Sequence, residues 1–167
     1  MKLFLLNMKS KEFNFRLKSI FSQFDPNTRS ISKSYSEDAM VVFVSDNKRI
    51  AVDIEEKKYR SPQTISYFLD KFITFSVEHK NSPFCLEEFY ELWTAMESYF
   101  KLNGEGFRTS KNFTIDFTAK FIVCNNIKVA RFDFLHIKNF AICVCGRDYF
   151  DKEDIELKCF GWEEVQC

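Results

Sequence analysis

Asp53 and Glu55 stand one residue apart at the end of a hydrophobic run, in Val52-Asp53-Ile54-Glu55. On a strand, alternation points both carboxylates to one face and Ile54 to the other. Two carboxylates side by side repel, and a cation between them relieves that cost. Oxygen ligands and a hard charge suit Mg²⁺, which keeps several waters and takes one or two carboxylates together with substrate phosphates. Roughly forty residues later Glu97 and Lys101 stand four apart, on one face of a helix. Each feature has a plainer explanation when taken alone. An acid-x-acid triplet is ordinarily a solvated strand end, and an i,i+4 Glu–Lys pair is ordinarily a surface ion pair worth about 0.3–0.5 kcal/mol.

The element that must carry Glu97 and Lys101 runs from Ser82 to Phe107. Ser82 suits an N-cap, Pro83 the first helical position, and Asn103-Gly104 the exit. Phe89, Leu92, Trp93, Met96 and Phe100 recur at offsets of three and four, a stripe that must pack on something, and Trp93 at this spacing reads as core. The acids at 53 and 55 need a strand, and Arg49 to Ile54 supplies one. With Ala39 to Ser45 before it and Asp46-Asn47 between, the two read as a hairpin. A strand at Lys2 to Asn7 and a helix over Phe13 to Phe24, stopped by Asp25-Pro26-Asn27, precede them. Ser61-Pro62 opens a further helix with Ile65, Phe68, Leu69 and Phe72 as its stripe. Beyond Gly106 the period changes to two. Asn112 to Phe117, Ala119 to Cys124, Lys128 to Phe134 and Asn139 to Cys145 read as successive strands, with Asn125-Asn126 as a turn and a last short strand at Lys158 to Trp162.

Each half thus carries a helix opened by Ser-Pro and a set of hydrophobic strands. With no linker or low-complexity run, the whole chain, 1–167, reads as one α+β domain of two similar lobes, about 1–80 and 81–167. Each lobe is a helix on a small, mostly antiparallel sheet. The 167 residues suffice for one core, and 46% hydrophobic with 29% charged residues describes a globular chain. Only 4 glycines occur, and neither GxGxxG nor GxxxxGK[ST] is present, which argues against those nucleotide-binding devices. A formal net charge of zero favours neither nucleic acid nor an anionic membrane. Leu3 to Leu6 is too short for a secretory h-region and no stretch would span a bilayer, so the cytoplasm is expected. The six cysteines contain no CxxC and suggest no secreted disulfide framework. Cys143 and Cys145 share a strand face and read as small buried hydrophobes. His79 and His136 have no partner motif.

The order of these pieces resembles the signature of the 4′-phosphopantetheinyl transferases, G-[VI]-D-x-E followed by W-[ST]-x-K-E-[AS]-x-x-K. Here the matching residues are Val52-Asp53-Ile54-Glu55, then Trp93-Thr94-Ala95-Met96-Glu97-Ser98-Tyr99-Phe100-Lys101 with Gly104 and Gly106 after them. Ser34-Tyr35-Ser36-Glu37-Asp38 is similar to the family's S-H-S-G-D. Asn139 to Leu157 is similar to the last strand and tail of the surfactin-synthetase (Sfp) type. The resemblance, from about Ser30 onward, implies a pseudo-dimer of two α+β lobes in one monomeric chain. It also implies Mg²⁺-dependent transfer of phosphopantetheine from coenzyme A to a serine of an acyl or peptidyl carrier protein, with release of 3′,5′-ADP. In that scheme Asp53, Glu55 and Glu97 hold the metal against the pyrophosphate. Glu97 also serves as base on the carrier serine, and Lys101 neutralises phosphate charge and assists the leaving group. Ser34, Tyr35, Ser36 and Lys101 bind the coenzyme. Carriers of fatty-acid, polyketide and peptide synthesis all fit, and neither nucleic acid nor a membrane is a partner.

The chain departs from the pattern at Met96, where the family has lysine, at Tyr35 in place of histidine, at Ala51 in place of glycine, and in lacking a clear G-[KR]-P segment. The alternative is therefore a degenerate member that binds coenzyme A or a carrier without turnover. An α+β domain unrelated to the family stands third.

Overall fold

The computed structural model of the chain describes residues 1–25, 30–46, 49–72, 85–104 and 113–162, and for 68–72 the backbone alone. The elements are β1 (Lys2–Asn7), α1 (Phe13–Ser22), β2 (Ser30–Ser36), β3 (Ala39–Ser45), β4 (Ile50–Glu56), α2 (Pro62–Phe72), α3 (Leu86–Asn103), β5 (Phe113–Asp116), β6 (Phe121–Cys124), β7 (Ile127–Ile137), β8 (Phe140–Gly146) and β9 (Glu156–Phe160). A short 3₁₀ turn, Lys152–Asp154, precedes β9.

The strands form two sheets, β2-β3-β1-β9 and β4-β8-β7-β6-β5, and the architecture is α+β. Among the described strands only β1 and β9 pair in parallel. Three apolar clusters order the layers. Ile20 and Phe24 of the α1 region pack on Phe4, Leu6, Val42 and Val44 of the first sheet. The opposite face of that sheet, with Leu3, Leu5, Val41 and Phe43, meets Val52, Ile54, Ile142 and Val144 of the second. The far face of the second sheet, including Phe132, Ala141 and Cys143, is covered by Phe89, Leu92, Met96 and Phe100 of α3. The order is helix, sheet, sheet, helix, and alternation along β4 and β8 gives each strand one side chain for either layer.

One expectation about strand pairing gives way. β3 and β4 are not a hairpin. β3 lies between β1 and β2, and β4 pairs with β8 in the other sheet. The reason is competition for edges. β1, as apolar as β3, takes one side of it, and the polar strand β2 folds back on the other through a turn in which Glu37 adopts φ 52°. β2 itself, SISKSYS, carries no apolar alternation and was not legible as a strand from periodicity. In consequence β4, from early in the chain, completes the second sheet, while β9, from late in it, completes the first.

α3 begins later than its sequence signals suggest. Ser82 and Pro83 lie outside the described residues, and the cap is Cys85. Its extended backbone lets the thiol accept from the Glu88 N–H at 3.5 Å while the Glu88 carboxylate accepts from the Cys85 N–H at 2.8 Å. The exit is as expected, with Gly104 at φ 68°. Asn125 and Asn126 both have positive φ, 50° and 63°, as a primed hairpin turn requires. In α2, Ser61 Oγ accepts from the Thr64 N–H at 3.2 Å, and Ile65 is buried. Phe68, Leu69 and Phe72 fall outside the described side chains, as do Pro26, Asn27, Asn47 and His79. Cys143 and Cys145 are buried free thiols, whereas Cys159 is disulfide-bonded. Among the described residues no helix is long and apolar enough to cross a membrane.

Candidate functional site

The two sheets meet along one edge, where β2 of the first lies beside β4 of the second. Among the described residues no backbone ladder joins them; serine side chains do. Ser32 Oγ accepts from the Val52 N–H at 3.0 Å, and Ser36 Oγ accepts from the Glu56 N–H at 3.0 Å. These hydroxyls occupy every second position of β2, so they share one face and satisfy edge donors that would otherwise need water or another strand. Between them Ser34 Oγ donates to Asp53 Oδ1 at 2.8 Å, and Ser36 Oγ donates to Glu55 Oε2 at 3.1 Å. Tyr35 points the other way and is 69% exposed.

α3 closes the same seam. Met96 and Phe100 anchor its buried face, which sets Glu97 and Lys101 against β4. Lys101 does not pair with its helical neighbour. Its ammonium lies 2.6 Å from Asp53 Oδ1 and 2.8 Å from Ser34 Oγ. Asp53 is 3% exposed, and its second oxygen, Oδ2, is buried with no hydrogen-bond partner. Burial pushes its carboxyl up, while the Lys101 ammonium, the Ser34 hydroxyl and the Ile54 amide pull it down. Glu55 is raised by burial and then by the charge of Asp53. Glu97 is raised to about 7, first by burial, then by Asp53 and also by Glu55, against the opposing pull of Lys101. The three acids therefore share one region of negative potential. Among the described residues no three His, Cys, Asp or Glu side chains are drawn together into a ready-made metal cage. The acids of this seam are instead organised around an ammonium.

The fit of this site to a divalent cation rests on the unpartnered, buried Oδ2 of Asp53 and on the charge penalty carried by Glu97. A cation beside them would relieve both.

Glu55 also forms one wall of a cleft of about 310 Å³ between β4, α2 and α3. Phe89, Tyr90 and Trp93 form its floor, with Tyr67 and Arg60 at its margin. Trp93 is thus only partly buried, packed on the core with one side and lining the cleft with the other. Its helical spacing gave the first role and concealed the second. Tyr90 is buried, and its phenol ties down the chain after β4. It accepts from the Lys58 N–H at 3.0 Å, donates to the Lys58 carbonyl at 3.0 Å, and accepts from Arg60 Nε at 3.3 Å. No motif pointed to Tyr90 or Arg60. His136, on β7, lies 3.1 Å from Glu91 on α3 and takes no part in the seam.

Residues 49–152 match the family described as the 4′-phosphopantetheinyl transferase superfamily, and this span includes Asp53, Glu55, Glu97 and Lys101 but not Ser34, Tyr35 or Ser36. No curated protein matches the chain. The match covers more than half of the 167 residues, and the chain belongs to this superfamily of transferases.

Proposed function

We propose that the protein transfers 4′-phosphopantetheine from coenzyme A to a serine hydroxyl of an acyl or peptidyl carrier protein. The observation that carries the reading is the buried, half-partnered carboxylate of Asp53, with Glu55 and Glu97 in its field and Lys101 bound to it. Asp53, Glu55 and Glu97 would hold Mg²⁺. The ion's chemistry is charge neutralisation on the diphosphate oxygens.

The side chains do the rest. Glu97 takes the proton of the carrier serine. The serine oxygen forms a bond to the phosphorus that bears the pantetheine arm, and the bond from that phosphorus to the ADP oxygen breaks. Lys101, held by Asp53 and Ser34, turns its remaining proton to the departing phosphate and offsets its growing charge. Of the three β2 residues beside the site, Tyr35 faces outward and supplies a phenolic donor to the coenzyme where the family has histidine. The cleft beside Glu55 gives an extended substrate an apolar wall. We place the reaction in the cytoplasm, carried out by a monomer.

The test is incubation with a carrier protein, fluorescent coenzyme A and Mg²⁺. The expected result is a labelled carrier heavier by one phosphopantetheine, with labelling lost in EDTA. A second reading, binding without turnover, is favoured by the absence of a charged residue at Met96, which is buried in the α3 core. In that case labelling fails, yet coenzyme A with Mg²⁺ raises the melting temperature.

A further inference from the structure

We propose that Ser34 is a positioning residue, which fixes Asp53 and Lys101 against each other and is not itself a contact to coenzyme A. The inference rests on the transferase reading above and assigns one residue within it. Ser34 is 5% exposed. A hydroxyl has one proton, and here it is committed to Asp53 Oδ1 at 2.8 Å, while a lone pair accepts from Lys101 Nζ at 2.8 Å. Since Lys101 Nζ also reaches that same Oδ1 at 2.6 Å, the three groups form a closed triangle. No proton of Ser34 is left for a phosphate oxygen.

The triangle has one corner on each of three elements. Asp53 comes from β4, Lys101 from α3 and Ser34 from β2, so Ser34 is the group that ties the first sheet to both. Its own place is fixed from either side, because Ser32 and Ser36 clamp β2 to the Val52 and Glu56 amides. The terminal torsion of an aspartate is broad, so a carboxylate needs such outside bonds to hold one orientation. With Oδ1 held by Ser34 and Lys101, Oδ2 is the oxygen left to point at a ligand. Groups that orient a metal-ligating carboxylate typically govern metal affinity by about 10–100-fold.

The experiment is a titration of Mn²⁺ into the full chain, with free Mn²⁺ read by electron paramagnetic resonance, alongside the KM for coenzyme A and a thermal melt. Ser34→Ala should weaken Mn²⁺ binding about tenfold, with the KM for coenzyme A little changed. Ser34→Thr keeps the hydroxyl on a β-compatible side chain and should restore Mn²⁺ affinity. A raised KM with unchanged Mn²⁺ affinity would make Ser34 a coenzyme contact and overturn the assignment. A lowered melting temperature with unchanged Mn²⁺ affinity would reduce it to a structural residue and overturn it equally. If the wild-type chain takes up no Mn²⁺ at all, the transferase reading itself fails, and this inference with it.

Discussion

Two aspartates of the second sheet, Asp53 on β4 and Asp133 on β7, each pair with a lysine, and the two pairs are nearly twins by distance and burial. Lys101 meets Asp53 at 2.6 Å, with side chains 35% and 4% exposed. Lys120 meets Asp133 at 2.8 Å, with side chains 45% and 6% exposed. Their surroundings differ. Asp133 Oδ1 also accepts from the Phe134 N–H at 2.9 Å, and Asp133 leaves no buried oxygen without a partner. Asp53 leaves Oδ2 unpartnered and raises the pKa of both Glu55 and Glu97. An ion pair by itself therefore marks no site. What marks one is a carboxylate whose local partners stop short of satisfying it, in the field of further carboxylates that repel it.

The sharpest way to break the contrast is to neutralise each aspartate. Asp53→Asn should lower carrier labelling about a hundredfold or more. Its melting temperature should hold or rise, since a buried, raised carboxyl and its repulsion of Glu55 and Glu97 are removed, and Lys101 can turn to water. Asp133→Asn should leave labelling within a few-fold and cost about 1 kcal/mol or less, because Lys120 is largely solvated. Labelling assays and thermal melts on both variants check this, and equal losses of activity would erase the distinction.

Glu97 sharpens it through pH. Its folded carboxyl titrates at about 7 against an ordinary 4.5, so between those values the folded chain binds more protons than the unfolded one. The stabilisation from the protonated form is complete below about 4.5 and is lost as pH rises through about 7. In the metal-free protein the urea midpoint should fall from pH 5 to pH 8. Glu97→Gln should flatten part of that slope, the remainder belonging to Asp53 and Glu55, which are shifted in the same direction. An unaltered slope would remove Glu97 from the field of the other acids.

Much of this was legible in residue order. The stripe Phe89, Leu92, Met96 and Phe100 set the buried face of α3 and so the side on which Glu97 and Lys101 emerge. The Asn-Asn turn and the period-two runs gave the strands of the second sheet, because short hairpins are written locally. The partnership of β4 was not, since it depends on which apolar strand wins each edge of β3, a contest between residues far apart in sequence. The serines of β2 were matched to a coenzyme motif. Their alternation at 30, 32, 34 and 36 was the signal that one face of a polar strand meets another strand's edge. Lys101 was assigned to the coenzyme, and its bond to Asp53 became visible only once helix and strand were set side by side.

Two smaller effects probe the cleft beside Glu55. Trp93→Ala should cost about 2 kcal/mol, less than the roughly 3–5 kcal/mol of a fully enclosed indole, since one side of the ring already faces the cleft. A denaturation curve measures it, and a loss near zero would mean that the ring contributes nothing to the core. Tyr90→Phe should cost about 1 kcal/mol by releasing Lys58 and Arg60, with faster amide exchange confined to that stretch.

The most direct measurement is Mn²⁺ titration of the wild type, Asp53→Asn and Asp133→Asn in the presence of coenzyme A, followed by electron paramagnetic resonance. One bound ion per chain is expected in the wild type and in Asp133→Asn, and none in Asp53→Asn. Undiminished binding in Asp53→Asn, or its loss in Asp133→Asn, would contradict the assignment of the β2–β4–α3 seam as the metal and diphosphate site.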